Sequence, residues 1–142
     1  MSRIASLGFS CIAVSAVIAA GCFPEPNPTS SGTPAAPTMP SHWKVTSDVD
    51  FPADQIKPIA EKLGGNVTAL RNTDYDVNGK RLRINTIVAS DDANADSIME
   101  SLRKMKSDVA LLRKGLIIYE FVGTNDVLPE IGEGKAHIEG AG

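Results

Sequence analysis

The dipeptide Asn78-Gly79 constrains this chain more than any other feature. It lies within "NVTALRNTDYDVNGKRLRINTIVAS", between two segments rich in β-branched and alternating residues. Asn-Gly is the favoured pair for a two-residue type I′ turn, because both central positions need positive φ. A turn there sets the register. Asp76 then faces Arg81 and Asp74 faces Arg83 on one side of the hairpin, while Tyr75 faces Leu82 and Thr73 faces Ile84 on the other. Opposite charges meet on one surface and apolar groups on its reverse, so turn chemistry and side-chain pattern agree.

The flanking segments extend this hairpin into a small α+β domain. "WKVTSDVDF" alternates, with Trp43, Val45, Val49 and Phe51 opposite Lys44, Thr46, Asp48 and Asp50, which predicts a half-buried strand. In "PADQIKPIAEKLGG", Ile56, Ile59, Ala60 and Leu63 share one helical face, and Gly64-Gly65 ends the helix. Pro58 lacks a backbone donor and predicts a kink there or a start later than Pro52. "DDANADSIMESLRKMK" reads as a second helix, acidic at its start and basic at its end, with Ile98, Met99, Leu102 and Met105 as its apolar stripe. Val109 to Lys114 fits either an extension of that helix to Gly115 or a strand turning at Lys114-Gly115, and the strand is preferred. "LIIYEFVG" supplies a last strand.

Strand, helix, strand, strand, helix, strand in that order predicts a ferredoxin-like βαββαβ sandwich, with two helices on one face of an antiparallel sheet over residues 43–123. The glycine-rich remainder, 124–142, shows no periodicity and reads as a loosely attached tail. In the last strand Ile117, Tyr119 and Phe121 lie on one side, and Leu116, Ile118 and Val122 on the other. Leu70 and Ile87 sit on the hairpin's charged side. If helices cover only one face, then Leu70, Ile87, Leu116, Ile118 and Val122 form an apolar patch on the open face, fit for an envelope protein, a second copy of the chain or a small apolar ligand. The competing expectation is that the tail folds back over it through Val127, Leu128 and Ile131.

Ahead of the domain, Phe23 to His42 holds six of the nine prolines among Ser, Thr, Asn, Gly and Ala. Such a stretch buries too little apolar surface to form a core and reads as a tether (22–42), extending up to roughly 60 Å at ~3.1 Å per residue. Before it, Arg3 precedes a run of small and apolar residues from Ile4 to Ala20 that ends at Ala19-Ala20-Gly21-Cys22. This is the pattern of an export signal over residues 1–21.

Ala19-Ala20-Gly21-Cys22 resembles the lipobox of bacterial lipoproteins, with Ala19 where that family most often carries Leu. The resemblance implies diacylglycerol on the Cys22 thiol, cleavage before Cys22 by a type II signal peptidase, acylation of the new amino group, and a membrane-anchored protein outside the cytoplasm. Phe23 implies the periplasmic side of the outer membrane where the host has two membranes. Two or three acyl chains make such an attachment long-lived.

Signals for chemistry are sparse. Cys11 and Cys22 both precede the domain, which excludes a disulfide or a cysteine-based metal site inside it. Net charge is −3, with no basic, aromatic-interleaved block, which argues against nucleic acid. Asp92, Asn94 and Asp96 match the first positions of an EF-hand loop, but Ser97 replaces the glycine and Arg103 the bidentate glutamate. His42 and His137 lie at opposite ends of the domain. Asp48/Asp50 and Asp74/Asp76 read as solvated strand positions. The expectation is a non-enzymatic domain without cofactor or metal, its ligand unknown, serving as an interaction domain in the cell envelope, with a tethered small-molecule binding or sensing domain as the alternative.

Overall fold

The computed structural model describes residues 34–142; the signal segment and Cys22 lie outside the described residues. Five antiparallel strands run in the order β1-β2-β3-β5-β4. They are β1 (Trp43–Asp50), β2 (Val67–Val77), β3 (Lys80–Ala89), β4 (Leu111–Lys114) and β5 (Ile117–Val122). Helix α1 (Ala53–Leu63) joins β1 to β2, α2 (Asp92–Met105) follows β3, and α3 (Leu128–Gly140) closes the chain. The class is α+β with an antiparallel sheet.

The β2–β3 hairpin has the register its turn dictates, with Asp76, Tyr75, Asp74 and Thr73 facing Arg81, Leu82, Arg83 and Ile84. Asn78 and Gly79 take φ of 55° and 83°. The segment after α2 is a 3₁₀ turn (Asp108–Ala110) leading into β4, and β4 turns back into β5 through Gly115 at φ 64°.

The ferredoxin-like order is not the one found. That plan places the first strand inside the sheet and parallel to a neighbour; here β1 is an edge strand, antiparallel to β2. The physical reason is pairing: Trp43 through Asp50 bond to Val77 through Arg71, so α1 connects adjacent antiparallel strands and makes no crossover. Nor is β1 half-buried. A bulge at Thr46 shifts the alternation, and only Trp43 is buried while Val45 and Val49 stand exposed.

The sheet is covered on both faces. α1 and α2 pack Ile56, Leu63, Ala95, Ile98, Met99 and Leu102 onto Leu70, Ile87, Ala89, Leu111 and Ile118. On the reverse face, Val127, Ile131 and Ile138 pack onto Trp43, Tyr75, Val77, Leu82, Ile84, Tyr119 and Phe121. Thus the segment read as a loose tail is a helix with its own buried stripe. Gly134 belongs to that stripe: a Cβ there would lie 2.8 Å from Trp43 Cη2. The sequence pattern conceals it because the helix is close-packed at a residue without a side chain.

Helix α1 starts at Ala53, directly after Pro52, and continues through Pro58. Pro58 cannot donate to the carbonyl of Asp54, and both residues lie on the exposed side of the helix, where the lost bond costs least. Asp91 caps α2 by accepting from Asn94 N at 2.8 Å. Met105, expected in the stripe, is exposed, because Ala95 takes its place one turn before Ile98 and Met99. Ahead of β1, Met39 packs against the reverse-face core, Trp43 N donates to Pro40 O at 2.9 Å, and long bonds run from Tyr75 Oη to Pro37 O and Arg71 Nη1 to Pro34 O.

Candidate functional site

The antiparallel registers arrange the helix-covered face in rows that cross the strands. Leu70, Ile87 and Ile118 form one row, Asn72, Asn85 and Glu120 the next, and Asp74, Arg83 and Val122 the one after. The first is apolar and lies beneath α1 and α2. The third is charged and lies beyond them. The amide and acid row lies at the boundary, where helix cover ends, and there the surface opens into a crevice of about 150 Å³. Its apolar lining is Phe51, Ile59, Leu63, Leu70 and Ile87, and its polar lining is Asn72, Asn85 and Glu120.

The polar groups are held in place. Asn85 Nδ2 donates to Glu120 Oε2 at 2.8 Å, and Lys106 Nζ, just past the end of α2, reaches Glu120 Oε1 at 3.1 Å. Glu120 is 8% exposed, so this pairing offsets the cost of burying its charge. Asn85 Oδ1 is buried and accepts no hydrogen bond.

Next to the crevice, Asp74 sits buried between two arginines. Arg83 Nε donates to Oδ1 at 2.6 Å and Arg81 Nη2 to Oδ2 at 2.7 Å. The Arg83 hydrogen bond, followed by that of Arg81, holds the Asp74 carboxyl down to about 2 against the opposing effect of burial. On the reverse face, burial pushes the Tyr75 hydroxyl up to about 12, and the indole of Trp43 meets its ring edge-on at 5.5 Å. Asp48 takes a bidentate grip from Arg71, whose hydrogen bond lowers the Asp48 carboxyl.

The expected open apolar patch is not a surface. Leu70, Ile87 and Ile118 are buried under α1 and α2; Val122 is half-buried farther along the strand, and Leu116 is exposed in the β4–β5 turn. The physical reason is parity: the helices cover the hairpin's charged side, and α3 covers the side of Tyr119 and Phe121. Val127 and Ile131 are buried in that contact, while Leu128 is exposed. Asp74 is not a solvated strand position either, since the two guanidiniums close over it.

Asp92 and Asp96 both pair with Arg113 of β4, which ties the start of α2 to the sheet. Among the described residues no group of His, Cys, Asp and Glu is arranged to hold a metal. His42 lies 3.4 Å from Glu133 and takes no part in the crevice. The crevice row itself was available from the hairpin turn: the register that pairs Asp74 with Arg83 also places Asn72 opposite Asn85. Glu120 inside the apolar run "LIIYEFV" was the second signal.

No family model, curated protein or solved structure matches this chain. No helix among the described residues is long and apolar enough to cross a membrane.

Proposed function

We propose that this protein is a lipid-anchored extracytoplasmic lipoprotein, attached to the membrane through Cys22, whose α+β domain binds a small molecule without transforming it. Support for the address is Ala19-Ala20-Gly21-Cys22 followed at once by a proline-rich stretch. The observation that carries the binding function is the crevice at the edge of helix cover, where Asn72, Asn85 and Glu120 converge below apolar walls. Support for a non-catalytic role is that the carboxylates near it are already engaged, Glu120 by Lys106 and Asp74 by Arg83 and Arg81. The Arg83 hydrogen bond keeps the Asp74 carboxyl ionised near neutral pH, so it is no proton donor there.

A second reading, a protein-interaction domain serving an envelope partner or a second copy, is favoured by one observation. The outer edge of β1 is unpaired among the described residues, with Val45 and Val49 exposed along it. The Thr46 bulge works against strand addition there, so the crevice is preferred.

The address is tested by labelling cells that express the full chain with an alkyne palmitate. Label on the wild type and none on Cys22→Ala is expected; equal labelling of both refutes the anchor. Binding is tested by amide chemical-shift mapping on the chain from Phe23 to Gly142, which contains the whole compact unit from Gly32 with both its cores. Extracellular-medium metabolites should move resonances of strands β2, β3 and β5 around the crevice. Shifts confined to β1 would instead support the second reading.

A further inference from the structure

We propose that the reverse face carries a binding site for a polyproline II segment, lined by Arg71, Tyr75 and Trp43, and that its occupant is the chain's own Pro34–Pro40, docked in cis as a releasable strap. The site is separate from the crevice, and only its consequence for reach rests on the anchor at Cys22.

The strap, Pro34-Ala35-Ala36-Pro37-Thr38-Met39-Pro40, has proline at every third position. Each proline fixes its own φ at about −65°, and Ala36 and Met39, each preceding a proline, are pushed to extended backbone. Five of the seven residues are thus biased to polyproline II before any contact forms, so docking costs little chain entropy. That helix has three residues per turn and no internal hydrogen bonds, so every third carbonyl points the same way and is free to accept. The period appears twice in the structure. Ala35 and Thr38 are exposed, while Pro34, Ala36, Pro37, Met39 and Pro40 are half-buried. The carbonyls that accept hydrogen bonds are those of Pro34, Pro37 and Pro40, from Arg71 Nη1 at 3.4 Å, Tyr75 Oη at 3.5 Å and Trp43 N at 2.9 Å.

The site is built before the strap arrives. Asp48 engages Nε and Nη2 of Arg71, which leaves Nη1 for Pro34. The Tyr75 ring is set edge-on to Trp43, and Met39 adds an apolar contact to the same core. The Trp43 bond closes the turn at Ser41-His42 that sends the strap back along β1, toward Arg71, the partner of Asp50. The bonds from Arg71 and Tyr75 are long and therefore weak. They suffice in cis because two residues join strap to strand, which sets an effective concentration of about millimolar or more. The same linkage favours the chain's own segment over that of a second copy. Release frees Pro34 to His42, adding roughly 28 Å of tether at ~3.1 Å per residue.

The experiment uses the chain from Phe23 to Gly142, which holds no cysteine of its own. Ala35→Cys, at an outward position, carries a nitroxide, and paramagnetic broadening of backbone amides is mapped. Docking in cis should broaden Arg71 and its neighbours on β1 and β2. Pro34→Ala with Pro37→Ala restores backbone freedom and should lower the docked-to-free ratio roughly fourfold to thirtyfold. Tyr75→Phe removes one weak bond and should lower it about twofold. The amide spectrum of each variant reports whether the fold is kept. Absence of broadening at Arg71 in the chain with its prolines intact refutes the docked strap. Undiminished broadening in the proline variant overturns polyproline recognition and leaves a contact made by Met39. Broadening passed from a nitroxide-bearing copy to an isotope-labelled copy without nitroxide shows exchange between molecules and overturns the cis occupant.

Discussion

Helix α3 carries two glycines two positions apart, and replacing each by alanine should have opposite effects. At Gly132 an added Cβ meets nothing within 4 Å, so Gly132→Ala gains only helix propensity, about 0.5–1 kcal/mol of stability. At Gly134 the same methyl would lie 2.8 Å from Trp43 Cη2 and 3.2 Å from Phe121 Cε1. Carbon atoms pack best near 3.5–4.0 Å, so helix or indole must move by about 0.7 Å. Trp43 is 6% exposed and Phe121 1%, so neither can swing into solvent. Overpacking of a filled core costs about 1–3 kcal/mol, from which the same propensity gain is subtracted. Gly134→Ala should thus lose about 1–2 kcal/mol, and the two variants should differ by about 2 kcal/mol. Urea unfolding of the chain from Phe23 to Gly142, followed by Trp43 fluorescence, measures this as midpoints moving in opposite directions at constant slope. If Gly134→Ala proves as stable as Gly132→Ala, α3 does not pack against Trp43 in the way described.

Ending the chain at Thr124 removes Val127, Ile131 and Ile138 from the reverse-face core, at about 1.5–3 kcal/mol per side chain, and circular dichroism should show loss of cooperative folding; a sharp, reversible thermal transition in the truncated chain would contradict the structure. Asp74 has a folded carboxyl at about 2, below its ordinary 3.8, so its contribution is complete above about pH 4 and vanishes as pH falls through about 2. The shift amounts to about 1–2 kcal/mol once the exposure of both arginines is discounted, and Asp74→Asn should flatten the acid limb of the stability curve by that amount. Tyr75 should ionise only near pH 12, and because its neutral form is the one the fold favours, its contribution persists through pH 10 and is lost above that; an absorbance titration with Tyr75→Phe as control, showing ordinary ionisation near pH 10, would refute the burial of its hydroxyl.

Local signals carried the central hairpin, helices α1 and α2 and the β4–β5 turn, because each is written in short-range chemistry: Asn78-Gly79, the Gly64-Gly65 stop, the acidic start of α2 and Gly115. Strand order was not legible. It depends on which edge β1 chooses, and the register of Trp43 against Val77 spans most of β1, α1 and β2 in sequence. The assignment of faces failed for a related reason, since period-two alternation says which residues share a side but not which side a helix will cover. α3 escaped detection because apolar periodicity counts side chains, and Gly134 contributes the absence of one. Of the crevice, Asn72 and Asn85 were implied by the hairpin register, whereas Phe51, Ile59 and Leu63 meet them only through the packing of α1.

The docking of Pro34 to Pro40 against the domain shortens the leash. An anchor at Cys22 would be joined to Pro34 by twelve peptide steps, which span no more than about 40 Å however they are arranged. A folded unit of this size measures about 35 Å across. Such a protein would keep its near side within roughly one of its own widths of the bilayer, meeting what passes close to the membrane rather than a distant surface.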